Sequence, residues 1–446
     1  MTPKSLSLLV LLTAANLPLC FALPTDSGTN EIARSVTIYR DTYGVPHVYG
    51  PTDASVVFGF IYAQAEDNFP QIEENYIRAL ARASEIYGES SVGTFEGASL
   101  GDDFLVKLLE IPRLSIAEYE RASPRTRELC DAVANGLNYY LAQNPGVKPR
   151  LISHFEAWYV LALIRFKRYA DVFSDLTHIH HKELLLSTPS MAAGKESNVW
   201  AISPVKSVTG HAMLVINPHD PFLGLSQFYE GHLHSEEGWD LSGAAFLGWP
   251  FPHLGHNEYL GWSQTNNLPN IASTYEEVFD DPAHPLAYRY GSGYRTAIEW
   301  TDEIKIKTSS GFSTRRLMLR KTHHGPIVAI RNGKPLAVKL GKLEEGGIVD
   351  QMYEMGKARS FPEFKKALSR QAVPFMNTIY ADREGNIFYI YGGAIARRST
   401  KFDWTKPVDG SIPETEWQGY HSLNELPQLT NPRGGFWPVA TLLSFS

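Results

Sequence analysis

The segment Lys195–Asp220 reads KESNVWAISPVKSVTGHAMLVINPHD and contains two short apolar runs separated by a polar stretch. The first run, VWAIS, alternates as a β-strand does, and AMLVI forms the second. The stretch SVTG between them is typical of a hairpin turn. A turn centred near residue 208 predicts an antiparallel pair in which Ser197 lies opposite His219. A slip of one or two residues would place Pro218 or Asp220 there instead.

A serine at the mouth of such a hairpin has a possible chemical role. A serine hydroxyl is a weak nucleophile unless a base accepts its proton. The usual base is a histidine oriented by a carboxylate, but no G-x-S-x-G motif surrounds Ser197. Another base is the serine's own α-amine, which titrates at about 7.7–8.0 and requires a cut between Glu196 and Ser197. On spacing alone, an ordinary surface serine before a strand is the simpler interpretation.

The overall composition is that of a globular protein with one large core or several smaller ones. The chain has 446 residues, of which 43% are hydrophobic and 20% charged. The formal net charge is −7 and no basic block is present, so nothing indicates a nucleic-acid partner. Cys20 lies in the amino-terminal leader, which leaves Cys130 alone and predicts no internal disulfide.

The first residues read as a secretory signal. Lys4 supplies a short positive region, Leu6–Leu12 is apolar, and Cys20-Phe21-Ala22 ends on a small residue. The apolar run is shorter than the roughly 20 residues of a transmembrane helix. We therefore expect residues 1–22 to be removed on export to the periplasm or the medium, which leaves no membrane-spanning segment.

The rest of the chain divides into a helical half and a strand-rich half. From Ala54 to Lys182, apolar residues recur at helical spacing, as in EENYIRALARASEIYG and TRELCDAVANGLNYYLAQNPG. Residues 187–196, STPSMAAGKE, have the composition of an exposed loop. After Ser197, runs such as EIKIKT, TRRLMLRK, PIVAI and NIFYIYGG are typical of strands separated by turns. Because βαβ units are not interleaved, this order predicts an α+β protein with large antiparallel sheets.

Six blocks spread along the chain form a recognisable set. They are RDTYGVPHVYG, FGFIYAQAEDNFPQIE, ESNVWAISPVKSVTGHAMLVINPHD, LGHNEYLGWSQTNN, YADREGNIFYIYGG and LTNPRGGF. Together they resemble the penicillin acylase family of N-terminal-nucleophile hydrolases, and the third block resembles the start of that family's β-subunit. The resemblance extends from about Val36 to Phe436, and the combination is far more specific than any single block.

The resemblance implies an αββα sandwich and a precursor that cuts itself between Glu196 and Ser197. Residues 23–186 would form a mostly helical α-subunit, and residues 197–446 would begin a strand-rich β-subunit. Residues 187–196 would be the spacer between them. The two fragments of one precursor would remain associated.

In the mature enzyme that the resemblance implies, Ser197 Oγ attacks an amide carbonyl and its own α-amine is the base. The backbone at His219 and the backbone N–H of Asn266 occupy the positions of the donors that stabilise the oxyanion. A histidine at position 219 resembles the branch that cleaves acyl-homoserine lactones and lipopeptide acyl chains. The implied protein is a secreted amidohydrolase. Its implied substrate is a small acyl amide of the penicillin, acyl-homoserine-lactone or lipopeptide type.

Two features depart from the family pattern. Asn270 and Ser273 stand where the family has acidic calcium ligands, so we expect no such metal site and no cofactor. Family members also continue with an asparagine-rich segment that completes the oxyanion hole, whereas WPVATLLSFS follows LTNPRGGF here. The alternative expectation is therefore a truncated, catalytically inactive relative or a secreted binding domain.

Overall fold

The computed structural model describes residues 27–89, 99–170, 172–177, 179, 184, 197–267 and 271–440. The predicted signal segment 1–22, the predicted spacer 187–196 with Glu196, and Asn270 lie outside these residues. Among the described residues we find no helix with the length and apolar character that a membrane span requires.

Helices dominate the first half of the described chain, as the periodicity predicts. Ser123 begins the longest uninterrupted of them by accepting the Thr126 N–H, and Pro124 occupies the first helical position, where its missing N–H costs nothing. The α-helices are α1 (Ser27–Ser35), α2 (Asp53–Ala79), α3 (Ser84–Tyr87), α4 (Ser99–Leu108), α5 (Ile111–Arg121), α6 (Pro124–Gln143), α7 (Tyr159–Arg165), α8 (Phe173–Thr177), α9 (Ile348–Lys357) and α10 (Phe361–Leu368). A π-helical turn, Phe166–Ala170, continues α7.

Strands dominate the second half. They are β1 (Thr37–Arg40), β2 (Pro46–Gly50), β3 (Ser197–Ile202), β4 (Met213–Pro218), β5 (Phe228–Ser235), β6 (Trp239–Phe246), β7 (Leu254–His256), β8 (Leu260–Thr265), β9 (Ala272–Glu276), β10 (Ala287–Tyr290), β11 (Gly293–Thr296), β12 (Ile298–Thr308), β13 (Gly311–Thr322), β14 (Gly325–Arg331), β15 (Lys334–Leu340), β16 (Phe375–Asp382), β17 (Ile387–Gly393), β18 (Val408–Asp409), β19 (Gln428–Thr430) and β20 (Phe436–Ala440). Short 3₁₀ turns occur at Pro204–Lys206, Pro413–Thr415 and Leu423–Glu425.

These strands form four sheets that are mainly antiparallel. The largest has nine strands in the order β1-β2-β5-β6-β7-β8-β16-β17-β19. A six-stranded sheet has the order β12-β13-β14-β15-β9-β18, β10 pairs with β11, and β20-β3-β4 form a three-stranded sheet. The parallel pairs are β2 with β5 and β9 with β18. This arrangement confirms the predicted α+β class.

The nine-stranded sheet is covered on both faces where β16 and β17 lie, because successive side chains of a strand point to opposite faces. One set packs against Val199 and Ala201 of β3; its members are Ile379, Ala381, Ile387, Tyr389 and Tyr391. Tyr380 faces the other way. Its ring centroid lies 5.2 Å from that of Phe361 and 4.7 Å from that of Phe364, both in α10. Helix, large sheet and small sheet thus form successive layers, and the small sheet carries Ser197.

Candidate active site

Ser197 is the first residue of β3 and pairs with Pro218 of β4. The predicted pairing of Ser197 with His219 is therefore wrong by one residue, and the alternative with Pro218 is correct. The physical reason lies in the connection between the strands. The connection, residues 203–212, contains the 3₁₀ turn Pro204–Lys206, and the pairing of Ile202 with Met213 centres it between residues 207 and 208, half a residue from the predicted centre.

A distant strand secures the other edge of β3. β20 pairs antiparallel with β3, from Phe436 opposite Ile202 to Ala440 opposite Asn198. The Ser203 N–H also donates to the Gly435 carbonyl at 2.8 Å. β3 is therefore the central strand of its sheet, and hydrogen bonds on both sides fix the backbone next to Ser197.

The backbone of His219 approaches the hydroxyl of Ser197. The Ser197 side chain is buried, with 8% of the residue exposed, and the His219 N–H points at its Oγ across an N···O distance of 3.5 Å. The His219 imidazole is engaged elsewhere, because its Nε2 lies 3.1 Å from Nδ2 of both Asn198 and Asn217. The structure thus presents the main chain of His219 to Ser197, while two carboxamides hold the ring.

Ser197 opens on a cleft with an empty volume of about 590 Å³. Asn266 lines the same cleft, directly after β8, and β8 is held in register by its pairing with β16. The cleft also has a largely aromatic and aliphatic wall; it includes Phe228, Phe246, Leu254, Phe375 and Met376. Ser197, the backbone of His219 and Asn266 are therefore brought together from three separate chain segments.

Two adjacent cations from the π-helical turn enter this cleft. Lys167 Nζ donates to Ser226 Oγ at 2.9 Å and lies 5.0 Å from the centre of the Phe246 ring. Arg168 is 3% exposed and lies 5.3 Å from the centre of the Trp249 ring, yet neither its Nε nor its Nη2 donates a hydrogen bond to a described residue. Burial lowers the pKa of Arg168 to about 10, which leaves the guanidinium charged at neutral pH.

His253 is the third buried basic group of the cleft. Its ring centroid lies 4.8 Å from that of Phe246 and 4.7 Å from that of Trp249. Burial, together with the charges of Arg168 and Lys167, lowers the pKa of His253 well below its usual value, so the imidazole is neutral. Among its described lining residues, the cleft thus has apolar side chains, the cations Lys167 and Arg168, and the carboxylate of Asp220.

The sequence motifs point to Ser197, His219 and Asn266 but to none of the buried basic groups beside them. The run VLALIRFKRYADVF does contain a signal, because two adjacent cations interrupt an otherwise apolar helical segment. Its burial, however, depends on β6 and the following loop, which supply Phe246 and Trp249 from far along the chain. Of the two positions that differ from the family's calcium ligands, the structure describes Ser273. Its hydroxyl accepts hydrogen bonds from Arg398 and Trp417.

Three curated proteins illustrate what this chain is similar to. It is 25% identical to penicillin acylase 2 proenzyme of Pseudomonas sp. (strain SE83), over 93% of this chain and 60% of that protein. It is 23% identical to the acyl-homoserine lactone acylase PvdQ of Pseudomonas fluorescens (strain Pf0-1), over 94% and 60%. It is 26% identical to aculeacin-A acylase of Actinoplanes utahensis, over 82% and 51%. The chain thus spans 51–60% of the length of these three relatives.

A solved structure and a family model give further matches. The thermostable penicillin G acylase from Alcaligenes faecalis, in its orthorhombic form, is 25% identical, with a TM-score of 0.48 over 55% of this chain and 43% of that chain. The family model described as penicillin amidase matches residues 35–440. It therefore includes the first four residues of WPVATLLSFS. Because the match extends over most of the sequence, the chain belongs to the penicillin amidase family and has the α+β fold of the N-terminal-nucleophile hydrolases.

Proposed function

We propose that this protein is an exported acylase that hydrolyses the amide bond of a small acyl amide, with Ser197 as its nucleophile. The observation that carries this proposal is the His219 N–H aimed at Ser197 Oγ, 3.5 Å away, at a cleft that Asn266 also lines. The names of the relatives support an acylase, since they include penicillin, acyl-homoserine lactone and aculeacin-A acylases.

The first step is cleavage of the precursor. Ser197 Oγ attacks the carbonyl carbon of Glu196, the Glu196–Ser197 C–N bond breaks, and the serine proton is transferred to the departing nitrogen. The product is an ester between Glu196 and Ser197 Oγ. Water then hydrolyses the ester, which leaves a carboxylate on Glu196 and a free α-amine on Ser197. The fragments before and after the cut remain associated, because β2 of the first pairs with β5 of the second.

The free amine then acts as the general base in turnover. An α-amine titrates at about 7.7–8.0, so a large fraction is neutral near pH 8 and accepts the Ser197 hydroxyl proton. Ser197 Oγ attacks the substrate carbonyl, and the backbone N–H groups of His219 and Asn266 donate to the oxyanion. The ammonium returns its proton to the leaving nitrogen, and water releases the acyl group from the ester.

The wall of the cleft indicates which part of the substrate it receives. The leaving amine departs first while the acyl group is still bound to Ser197, so we assign the cleft beside Ser197 to the acyl group. The aromatic and aliphatic wall suits an apolar acyl chain. Penicillin-like, acyl-homoserine-lactone and lipopeptide substrates all have such a chain, and we propose one of these three types.

Protein chemistry and an activity assay together test the proposal. The purified chain should contain a fragment that begins Ser-Asn-Val-Trp, found by amino-terminal sequencing and intact-mass measurement. It should release acid from a panel of acyl amides of increasing chain length. Ser197→Ala should abolish both properties. Ser207→Ala, which changes a half-buried serine in the connection of the same hairpin, should leave both unchanged.

Two other outcomes would contradict the proposal. If a folded chain hydrolyses amides without any cut at Ser197, the α-amine of Ser197 is not the general base. A folded chain that is neither cut nor active, but still binds an acyl amide in equilibrium dialysis, would favour the secreted binding domain instead.

A further inference from the structure

Three neighbouring strands of the nine-stranded sheet bring histidine and aspartate side chains together outside the Ser197 cleft. His232 and His234 are two residues apart on β5 and therefore share one face of the sheet. His47 of β2 is the parallel strand partner of His232, and Asp240 of β6 is the antiparallel partner of His234. Side chains from β2, β5 and β6 thus converge, and none of them lines the Ser197 cleft.

Three potential metal-ligand atoms of this group lie close together. His232 Nε2 lies 2.9 Å from Asp240 Oδ1, and His234 Nδ1 lies 2.9 Å from Asp240 Oδ2. One ligand atom from each of the three residues lies within 4.8 Å of the other two. Two imidazoles and a carboxylate form a ligand set that suits Zn²⁺ and its first-row neighbours.

A second row of groups orients His232. Its Nδ1 lies 3.1 Å from His47 Nδ1, and His47 Nε2 lies 3.7 Å from Asp41 Oδ2. When a cation accepts the lone pair of His232 Nε2, the ring proton resides on Nδ1 and is donated to His47 Nδ1. The His47 proton then resides on Nε2 and faces Asp41. Each nitrogen in this chain has a consistent role, and such outer partners fix the tautomer of metal-bound histidines.

The charges around this group differ from those around a second His/Glu cluster in the described residues. That cluster consists of His323, His324 and Glu416. Glu416 already has Arg295 at 3.9 Å and Lys339 at 3.7 Å, so positive charge is present there. In the described part of the chain, the ion-pair partners of Asp240 are only the two histidines. A dication would supply the positive charge that this carboxylate lacks.

We propose that His232, His234 and Asp240 bind a divalent transition-metal ion such as Zn²⁺, with His47 and Asp41 as its outer partners. The side chains of His234 and Asp240 are 47% and 45% exposed, so an ion reaches the site from solvent. Three protein ligands leave a coordination position for water. Nothing in this site depends on the proposed acylase function.

The test is a titration of the full chain, stripped with a chelator, with ZnCl₂ in an isothermal titration calorimeter. We expect one ion to bind at this site and a rise in the melting temperature. His234→Ala and Asp240→Asn should each weaken zinc binding at least tenfold. His47→Ala should weaken it about 10- to 100-fold, as the loss of an outer partner does. Co²⁺ in place of zinc should give visible absorption bands that His234→Ala removes.

The matched control is His284→Ala. His284 Nδ1 forms the same kind of pair with Asp281 Oδ2, at 2.9 Å, but its side chain is 75% exposed and has no second histidine beside it. This variant should bind zinc as the unchanged chain does. Melting curves in EDTA verify that every variant is folded. The proposal is overturned if the chain binds no zinc, or if zinc binds equally well to the folded His234→Ala and Asp240→Asn variants.

Discussion

Arg165 and Arg168 lie three residues apart on one buried helical segment, but only Arg165 has a carboxylate partner among the described residues. Both are 3% exposed. Arg165 Nη1 donates to Glu118 at 2.7 Å and to Ser115 at 3.2 Å, and its Nε donates to the Leu343 carbonyl. Arg168 has the Trp249 ring beside it instead.

This difference predicts unequal effects of the same substitution. Arg165→Met leaves Glu118 without its cation, and breaking a buried pair costs about 3–5 kcal/mol. Arg168→Met removes a buried charge that forms no ion pair with a described residue and is attracted by Asp220 from a greater distance, so the free energy of unfolding should fall much less or stay nearly constant. Urea denaturation of the two variants and the unchanged chain measures both values. A larger loss for Arg168→Met than for Arg165→Met would contradict the pairing described here.

A second buried network joins the segments before and after the proposed cut. Asp53, at the start of α2, accepts hydrogen bonds from Ser235, from Tyr353 at 2.5 Å and from Lys357 at 3.0 Å. Burial alone would raise the pKa of Asp53, but these donors outweigh it and lower the pKa. Its contribution to stability is therefore present above the unfolded value of about 3.9 and is lost as pH falls through the folded value.

We expect Asp53→Asn to lower the free energy of unfolding by about 3–5 kcal/mol at pH 7, because it removes the buried anion from Lys357. If the chain is cut, the variant's two fragments should also separate at lower urea concentration in size-exclusion chromatography. Asp281→Asn alters an aspartate that pairs with the exposed His284, and it should have little effect. Equal urea midpoints for the two variants would show that the Asp53 network is not important for stability.

His324 gives the protein a predicted pH dependence in the neutral range. Burial lowers the pKa of His324, but its hydrogen bond to Glu277 and the Glu416 carboxylate 3.4 Å from its Nε2 outweigh burial and raise the pKa above the usual value. The neighbouring His323 has a lowered pKa, chiefly because it is buried. Protonation of His323 therefore affects stability only below about pH 6.5. His324 is therefore the histidine of this cluster whose protonation changes above that pH.

Because its folded pKa is raised, protonated His324 stabilises the fold fully below about pH 6.5 and loses this effect as pH rises through the folded pKa. We expect the free energy of unfolding to fall over this range by about 1.4 kcal/mol per unit of pKa elevation. Glu277→Gln removes the partner of His324 Nδ1, at 2.8 Å, and should flatten the curve. Urea titrations at several pH values test this; an equally steep fall in the variant would assign the slope to another group.

The elements of the fold follow from local sequence patterns more readily than their pairing does. Apolar periodicity correctly predicts helices before residue 182 and strands after Ser197. The predicted register of β3 on β4 differs from the observed one by one residue, because turn-forming residues do not locate the centre of a ten-residue connection to within half a residue. The pairing of β3 with β20 joins residues more than two hundred positions apart, and no local pattern indicates it.

The candidate site shows the same division. The pattern around Ser197 and the blocks that resemble the family predict Ser197, His219 and Asn266 as site residues, because all three lie within recognisable motifs. Arg168 and His253 were not identified, since their significance depends on burial against Trp249 and Phe246, and burial is a property of the folded chain. From sequence alone, a cation in an apolar helix is expected to be exposed to solvent, because the residues that cover it in the fold come from distant parts of the chain.

The geometry at His219 makes a last prediction, which separates its main chain from its side chain. His219→Ala keeps the backbone N–H that faces Ser197 Oγ and loses only the ring held by Asn198 and Asn217. His219→Pro removes the N–H itself. Losing one oxyanion donor costs about 10²–10³ in rate, so we expect the proline variant to be slower by that factor and the alanine variant by much less. The rate of cleavage at Ser197, or of acyl release if the chain turns over, measures the difference, and circular dichroism verifies that both variants are folded. If alanine and proline slow the reaction equally, the imidazole rather than the main chain is the group that acts on Ser197.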